Sequence, residues 1–288
     1  MLLIVGAVIV IGSVMGGYLM HGGNVLVLNQ PSEFLIIGGA ALGNLLIGTP
    51  PSVLKQLVGQ TTAILGSGMT KTDYKELLAM LYQLFKLGQQ SGVMALESHF
   101  DSPAASPIMS KYPRFLKNHH AVDFLADSIK VIMTGGIGPH DLEALMDQDL
   151  EVRHHEMGKA AGALAKIADA LPGLGIVAAV LGVVITMESI GGPASEIGHK
   201  VGAALVGTFL GILLSYGFVQ PLATSLEARV GDDGHYEQCI KTGLLAMYKG
   251  FPPMVAVEFA RRVLPSEVRP SFDETEELVK GAKVEAAA

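Results

Sequence analysis

Residues 170–187 read ALPGLGIVAAVLGVVITM, from Ala170 to Met187, without a single charged side chain. A helix rises about 1.5 Å per residue, so such a run approaches the roughly 20 residues that cross about 30 Å of hydrocarbon. Working outward, three further stretches also lack Lys, Arg, Asp and Glu: Leu2–Met20, Phe34–Leu54 and Val201–Leu226. Between and after these four runs the sequence is ordinary charged protein. The chain as a whole is 50% hydrophobic and only 16% charged, against about 25% charged in soluble domains, and its mean hydropathy is +0.44. The expected class is therefore all-α: an integral membrane protein with four transmembrane helices, a large helical cytoplasmic insert and cytoplasmic C-terminal helices.

Basic residues set the orientation. Of the 20 Lys and Arg, eleven fall between spans two and three and eight follow span four, while Lys200 alone lies in a short loop. Positive charge stays inside, so the insert and both termini are expected in the cytoplasm. The implied organisation is 1–54 for spans one and two with a periplasmic loop at 21–33, and 55–169 for the insert. Spans three and four follow at 170–226 with a periplasmic loop at 188–200, then a tail at 227–288. Span one lacks a basic n-region, and Met20-His21-Gly22-Gly23 is a poor cleavage site, so this helix is expected to be retained. The net charge of −7 argues against nucleic-acid binding, and the single Cys239 rules out a disulfide framework within the chain.

Within the insert, Leu77, Leu78, Leu81, Leu84 and Phe85 recur at helical spacing, predicting a helix over about 73–94 with Thr72 or Asp73 as its cap. Pro103, Pro107 and Pro113 mark residues 101–113 as a loop. A second amphipathic helix is expected over 121–133, closed by Gly135-Gly136, and a long one over 140–170. The tail holds expected helices near 236–248 and 255–264, and its last residues, 274–288, are acidic, alanine-rich and expected to fray. Gly12/Gly16, Gly39/Gly43 and Gly207/Gly211 have the GxxxG spacing that lets membrane helices approach closely.

The most informative feature is an absence: no carboxylate, Lys, Arg or His falls inside the four charge-free spans. Proton pathways need ionisable groups within the membrane, so a proton-conducting role requires a partner to contribute one. The spans do hold Thr208 and Tyr216, eight residues apart in span four. Pro172 falls at the entry to span three, where a first turn tolerates proline, and Pro221 late in span four, where it removes a backbone bond and bends the helix. His119-His120 and His154-His155 have no ligand partner at metal-site spacing. No GxSxG or GxxxxGK[ST] pattern occurs, so no enzymatic constellation is visible.

Several segments together resemble the MotA family of flagellar stator subunits over nearly the whole chain. They are Gly16–Met20, Glu143-Ala144-Leu145-Met146-Asp147, Leu171–Ala179, Val206–Leu214, Ala256-Val257-Glu258-Phe259 and Arg269-Pro270-Ser271-Phe272. The resemblance implies a homopentamer in the bacterial inner membrane around two MotB-type subunits whose membrane aspartate carries the ion. Ion flow would turn the pentamer against the rotor protein FliG, with no cofactor and no enzymatic reaction. By the same resemblance Pro172 and Pro221 are coupling hinges and Thr208 lines the ion path, with Tyr216 beside it. Ala179 stands where sodium-type relatives carry threonine; a methyl group cannot replace sodium's water ligands, so H+ is favoured over Na+. Glu97 matches the family's acidic rotor-facing residue. The family's paired arginine falls on Gln89, leaving Lys86, one turn earlier, as the electrostatic substitute. An ExbB/TolQ-type energiser is the nearest alternative, but those proteins have three spans.

Overall fold

The computed structural model describes residues 2–64, 66 and 68–281, and every regular element among them is helical. In chain order these are α1 (Leu2–Met20), α2 (Val25–Leu28), α3 (Pro31–Gly48), α4 (Pro51–Ala63), α5 (Lys71–Ser91), α6 (Glu97–Asp101), α7 (Pro113–Lys117), α8 (His119–Thr134), α9 (Pro139–Met187), α10 (Ala194–Leu214), α11 (Gln220–Tyr248), α12 (Pro253–Arg262) and α13 (Phe272–Gly281), with short 3-10 turns at 93–96, 103–105 and 109–111 and a π turn at Ser215–Val219. Four of the helices are long and apolar enough to cross a membrane. The chain divides into two compact units, 1–66 with 157–229 and 67–156 with 230–288. Both α9 and α11 contribute to each.

The first unit holds the four apolar helices. α9 and α10 run antiparallel with their backbones touching: a Cβ on Gly211 would stand 2.6 Å from the Leu171 carbonyl oxygen, and one on Gly175 would stand 2.8 Å from that of Gly207. In lipid, where apolar burial offers no driving force, such close packing is what holds two helices together. Gly12, Gly16, Gly39 and Gly43 have nothing near them among the described residues, so of the three GxxxG spacings only Gly207/Gly211 brings described helices together. Ile37 and Ala41 of α3 join Ile167, Leu171, Ala178, Val206 and Leu210 in a buried cluster. Val53 and Leu57 of α4 pack with Ala160, Ala161 and Leu226, and Gln60 Nε2 donates to the Met157 carbonyl at 3.0 Å. Residues 55–66 and 157–169, expected in the insert, thus belong to the membrane-helix unit. α1 buries none of its residues within the chain.

Both expected external loops are partly helical. Asn24 Oδ1 accepts from the Leu26 N–H and caps α2, Pro31 opens α3, and α10 begins at Ala194, ahead of Glu196, His199 and Lys200. Proline at a first helical position loses no hydrogen bond, so α3 starts three residues before the charge-free run. Glu33 consequently lies inside the second membrane helix and is buried. The expectation that no ionisable side chain enters a span is corrected on this point.

The second unit is a helical layer around α5, α8 and α12. Tyr74, Leu77, Leu81, Leu84 and Phe85 meet Phe124, Leu125, Ile129, Ile240, Leu244 and Val257 in its core. Thr70 and Asp73 form a reciprocal capping box at the start of α5, which begins at Lys71, two residues before the expected start, with Thr70 and not Thr72 or Asp73 as its cap. Arg114 Nη1 ties α7 to Asp73 at 3.0 Å. The segment Glu143–Asp147 is a joint: Asp147 pairs with the buried Lys241 and Glu143 with Lys249 at 3.4 Å. Arg261 holds Glu258 in a two-pronged pair and donates to the Pro270 carbonyl at 2.9 Å, while Ser271 and Glu274 cap α13. Burial pushes the Cys239 thiol up, out of reach of ordinary thiolate chemistry. α13 extends to Gly281; the expectation of fraying over 282–288 lies outside the described residues.

Candidate functional site

Pro172 is not at a helix entry. It stands in the interior of α9, which continues unbroken from Pro139 to Met187. Without an N–H, Pro172 cannot serve the carbonyl four residues earlier, that of Ala168. An orphaned carbonyl in an apolar interior must find another donor or carry its full desolvation penalty. The donor is Ser215, whose Oγ reaches the Ala168 oxygen at 2.6 Å and is 1% exposed. A serine on the neighbouring helix therefore makes good the defect that proline introduces, and α9 survives.

Ser215 itself opens the π turn that ends at Val219. Pro221 removes the donor that would serve the Gly217 carbonyl, and upstream of it the Gln220 N–H reaches back to the Ser215 carbonyl, the five-residue reach of a π turn. The sequence predicts a bend here, and the structure shows a local widening, the π turn, directly followed by α11. The two proline positions are thus linked through one residue: Ser215 begins the turn that precedes Pro221, and its hydroxyl satisfies the carbonyl freed by Pro172. Gln220 Oε1, in the same stretch, is buried without a partner among the described residues.

Farther along the helix pair, Ala178 and Ala179 of α9 meet α10 at Gly207, the residue before Thr208. A Cβ built on Gly207 would stand 3.1 Å from both the Ala179 amide nitrogen and the Ala178 Cβ, and 2.5 Å from Glu33 Oε2. Both Ala179 and Thr208 are half-buried. Membrane threonines usually bond back to their own helix, as Thr186 does to the Gly182 carbonyl at 2.8 Å. The Thr208 hydroxyl makes no hydrogen bond among the described residues. Tyr216, about 12 Å farther along at 1.5 Å per residue, is 67% exposed. Ala179 packs against Gly207, the residue before Thr208, and Tyr216 lies in the π turn that Ser215 opens.

In the second unit, Glu97 opens α6 and is exposed, Lys86 is half-buried on α5, and Gln89 is exposed. Neither Glu97 nor Lys86 has an ion-pair partner among the described residues. Below Glu97 the chain is rigidly held: His99, 6% exposed, is hydrogen-bonded to Ser106 Oγ at 2.7 Å, and burial pushes its imidazole below the ordinary value. No group of three or more His, Cys, Asp or Glu converges on a metal-sized site among the described residues.

Two residues of this site escape sequence reading. Ser215 is one hydroxyl in an apolar run, and its partner lies 47 residues away. Glu33 does leave a signal, since Pro31 two residues earlier marks a helix start.

Comparison with known proteins places the chain in a family. Residues 4–92 match the family described as Motility protein A N-terminal, and residues 116–235 match the MotA/TolQ/ExbB proton channel family. Motility protein A of Salmonella typhimurium is 42% identical over 284 residues, spanning 98% of this chain and 96% of that protein. Chemotaxis protein LafT of Vibrio parahaemolyticus is 36% identical, over 94% of this chain and 95% of that one. The fold is that of a solved C. jejuni MotAB structure, with a TM-score of 0.75 at 19% identity, covering 92% of this chain and 96% of that one. It is also that of the flagellar MotAB stator complex of Bacillus subtilis, with a TM-score of 0.72 at 21% identity over the same shares.

Proposed function

We propose, because this chain belongs to the motility protein A family of MotA/TolQ/ExbB proton channel proteins, that it is a flagellar stator subunit. Joined to a MotB-type subunit it forms a proton channel and converts ion flow into torque on the rotor protein FliG. The chain performs no enzymatic reaction and holds no cofactor in this reading. It works as a homopentamer in the inner membrane with both termini in the cytoplasm, the side to which the basic residues assign them.

The observation that carries the reading is the α9–α10 pair. Its α9 face exposes Ile176, Val177, Val180, Val183 and Val184, a surface suited to an apolar partner helix. The pair also carries the unpaired Thr208 hydroxyl and the Ala179 methyl, and between Asp169 and Glu188 and between Lys200 and Glu227 the only ionisable side chain is Tyr216. A path so poor in acids needs its carboxylate from the partner. Ala179 offers no oxygen to a dehydrated sodium ion, which favours protons. Charging and neutralising the partner's carboxylate would then be felt at Pro172 and Pro221, where the backbone is already one donor short. Glu97, and Lys86 in place of the family arginine, are the rotor-facing charges.

Co-expression with the MotB-type partner in a stator-deleted strain tests the proposal: restored swimming supports it, and continued paralysis of cells containing the assembled complex refutes it. Swimming at unchanged speed when sodium is removed at constant proton-motive force tests the choice of ion.

A further inference from the structure

Glu33 is the ionisable group that the stator reading leaves without a role. It lies in the first turn of α3, is 5% exposed, and its Oε2 has no hydrogen-bond partner among the described residues. That oxygen fills the notch Gly207 leaves by having no side chain, 2.5 Å from where the Cβ would be. The Ala178 Cβ and the Ala179 amide nitrogen are each 3.1 Å from the same point. Three helices therefore close around one carboxylate, and Thr208, whose hydroxyl is unpaired, is the next residue along α10. A charged side chain early in a helix also favours its N-terminal dipole, but a solvated carboxylate does that equally well. Burial without a partner is unfavourable for the charged form, and intramembrane acids held in this way serve ion transfer.

We infer that Glu33 is a proton-binding station at the outward end of the path, upstream of Thr208 and of the partner's carboxylate; the inference rests on the stator reading. The step moves one proton and changes no other bond. Hydronium outside becomes water as the Glu33 carboxylate becomes the acid, and the carboxylate is regenerated when the proton moves on to the partner. Glu33 would thus fix where protons enter, while the partner's acid drives the cycle.

The test uses the full complex with its MotB-type partner in membrane vesicles, reading proton flux and complex abundance together. Glu33→Gln, which keeps size and polarity but cannot ionise, is expected to lower flux roughly tenfold or more at unchanged abundance, with Glu33→Asp restoring much of it. Dicyclohexylcarbodiimide, which adds to protonated carboxyls in apolar surroundings, is expected to modify Glu33 of the wild-type complex and to reduce its flux in parallel. Wild-type flux in an assembled Glu33→Gln complex overturns the inference and leaves the stator reading standing. If Glu33→Gln assembles poorly, the reagent decides: loss of flux that tracks modification of Glu33, with the partner's carboxylate unmodified, supports the inference, and an unmodified Glu33, or loss that tracks the partner's carboxylate alone, overturns it. A wild-type complex that passes no protons removes the stator reading, and this inference with it.

Discussion

Replacing Ser215 with alanine deletes one hydroxyl and leaves the Ala168 carbonyl with neither its helical donor, which Pro172 lacks, nor the substitute across the seam. A neutral hydrogen bond contributes about 0.5–1.5 kcal/mol net, and stranding a buried acceptor costs about 1–3 kcal/mol. Between membrane helices, measured bonds average about 0.6 kcal/mol with a maximum near 1.7. At 2.6 Å, with a donor 1% exposed, this bond belongs at the strong end, so Ser215→Ala should cost about 1.5 kcal/mol. The sharper test is a double-mutant cycle. Pro172→Ala supplies a backbone N–H four residues after Ala168, making the serine redundant, and in that background Ser215→Ala should cost only about 0.5 kcal/mol. Unfolding of the purified subunit in mixed micelles titrated with dodecyl sulfate reads both values. Equal costs in the two backgrounds, within about 0.3–0.5 kcal/mol, would refute the claim that serine and proline act on one carbonyl. Pro172→Ala stators are expected to assemble but to drive slow swimming, because a repaired helix resists bending.

Three further outcomes follow from the packing. Gly211→Val puts a branched side chain where even a Cβ lies 2.6 Å from the Leu171 oxygen, and should lower subunit stability by about 3 kcal/mol or more in the same titration, whereas Gly12→Val, on an open face, should leave the isolated subunit near wild type. Lys241 is 6% exposed and its partner Asp147 57%, so Asp147→Ala, which strands a buried charge, should destabilise by about 3 kcal/mol, more than Lys241→Met; equal losses in chemical unfolding would contradict the asymmetry. Glu274 is held down to about 2 by Lys71, Lys75 and the Ser271 N–H. Its contribution is fully present above the unfolded carboxylate value of 4.5 and is lost as pH falls from there toward about 2, so proteolysis near α13 should rise over that window in wild type and lose that component in Glu274→Gln.

Much of the architecture was legible because hydropathy and helix length are one-dimensional properties. Four charge-free runs near the length of a bilayer crossing announced four membrane helices, and the leucine periodicity from Leu77 announced α5, though its cap is Thr70 and not Thr72 or Asp73. Helix ends were less legible. Charged residues between Glu143 and Lys166 do not interrupt α9, because the backbone hydrogen bonds of a helix are indifferent to whether a face meets lipid or water. For the same reason α3 and α10 began earlier than their charge-free runs, and Glu33 was placed outside a helix that contains it.

The amino-acid order alone determined that this is an all-helical membrane protein of the motility protein A type, since that follows from composition along the chain and from segments that match as strings. Only the tertiary structure decided what Ser215, Gly207 and Glu33 do, because each acquires its meaning from an atom on another helix: the carbonyl that Pro172 abandons, the oxygen that fits where a side chain is missing, the notch that hides a carboxylate. Residues 47 positions apart at Ala168 and Ser215 share no periodicity that a sequence could display. Their hydrogen bond exists because two backbones pack closely enough for one helix to repair the other.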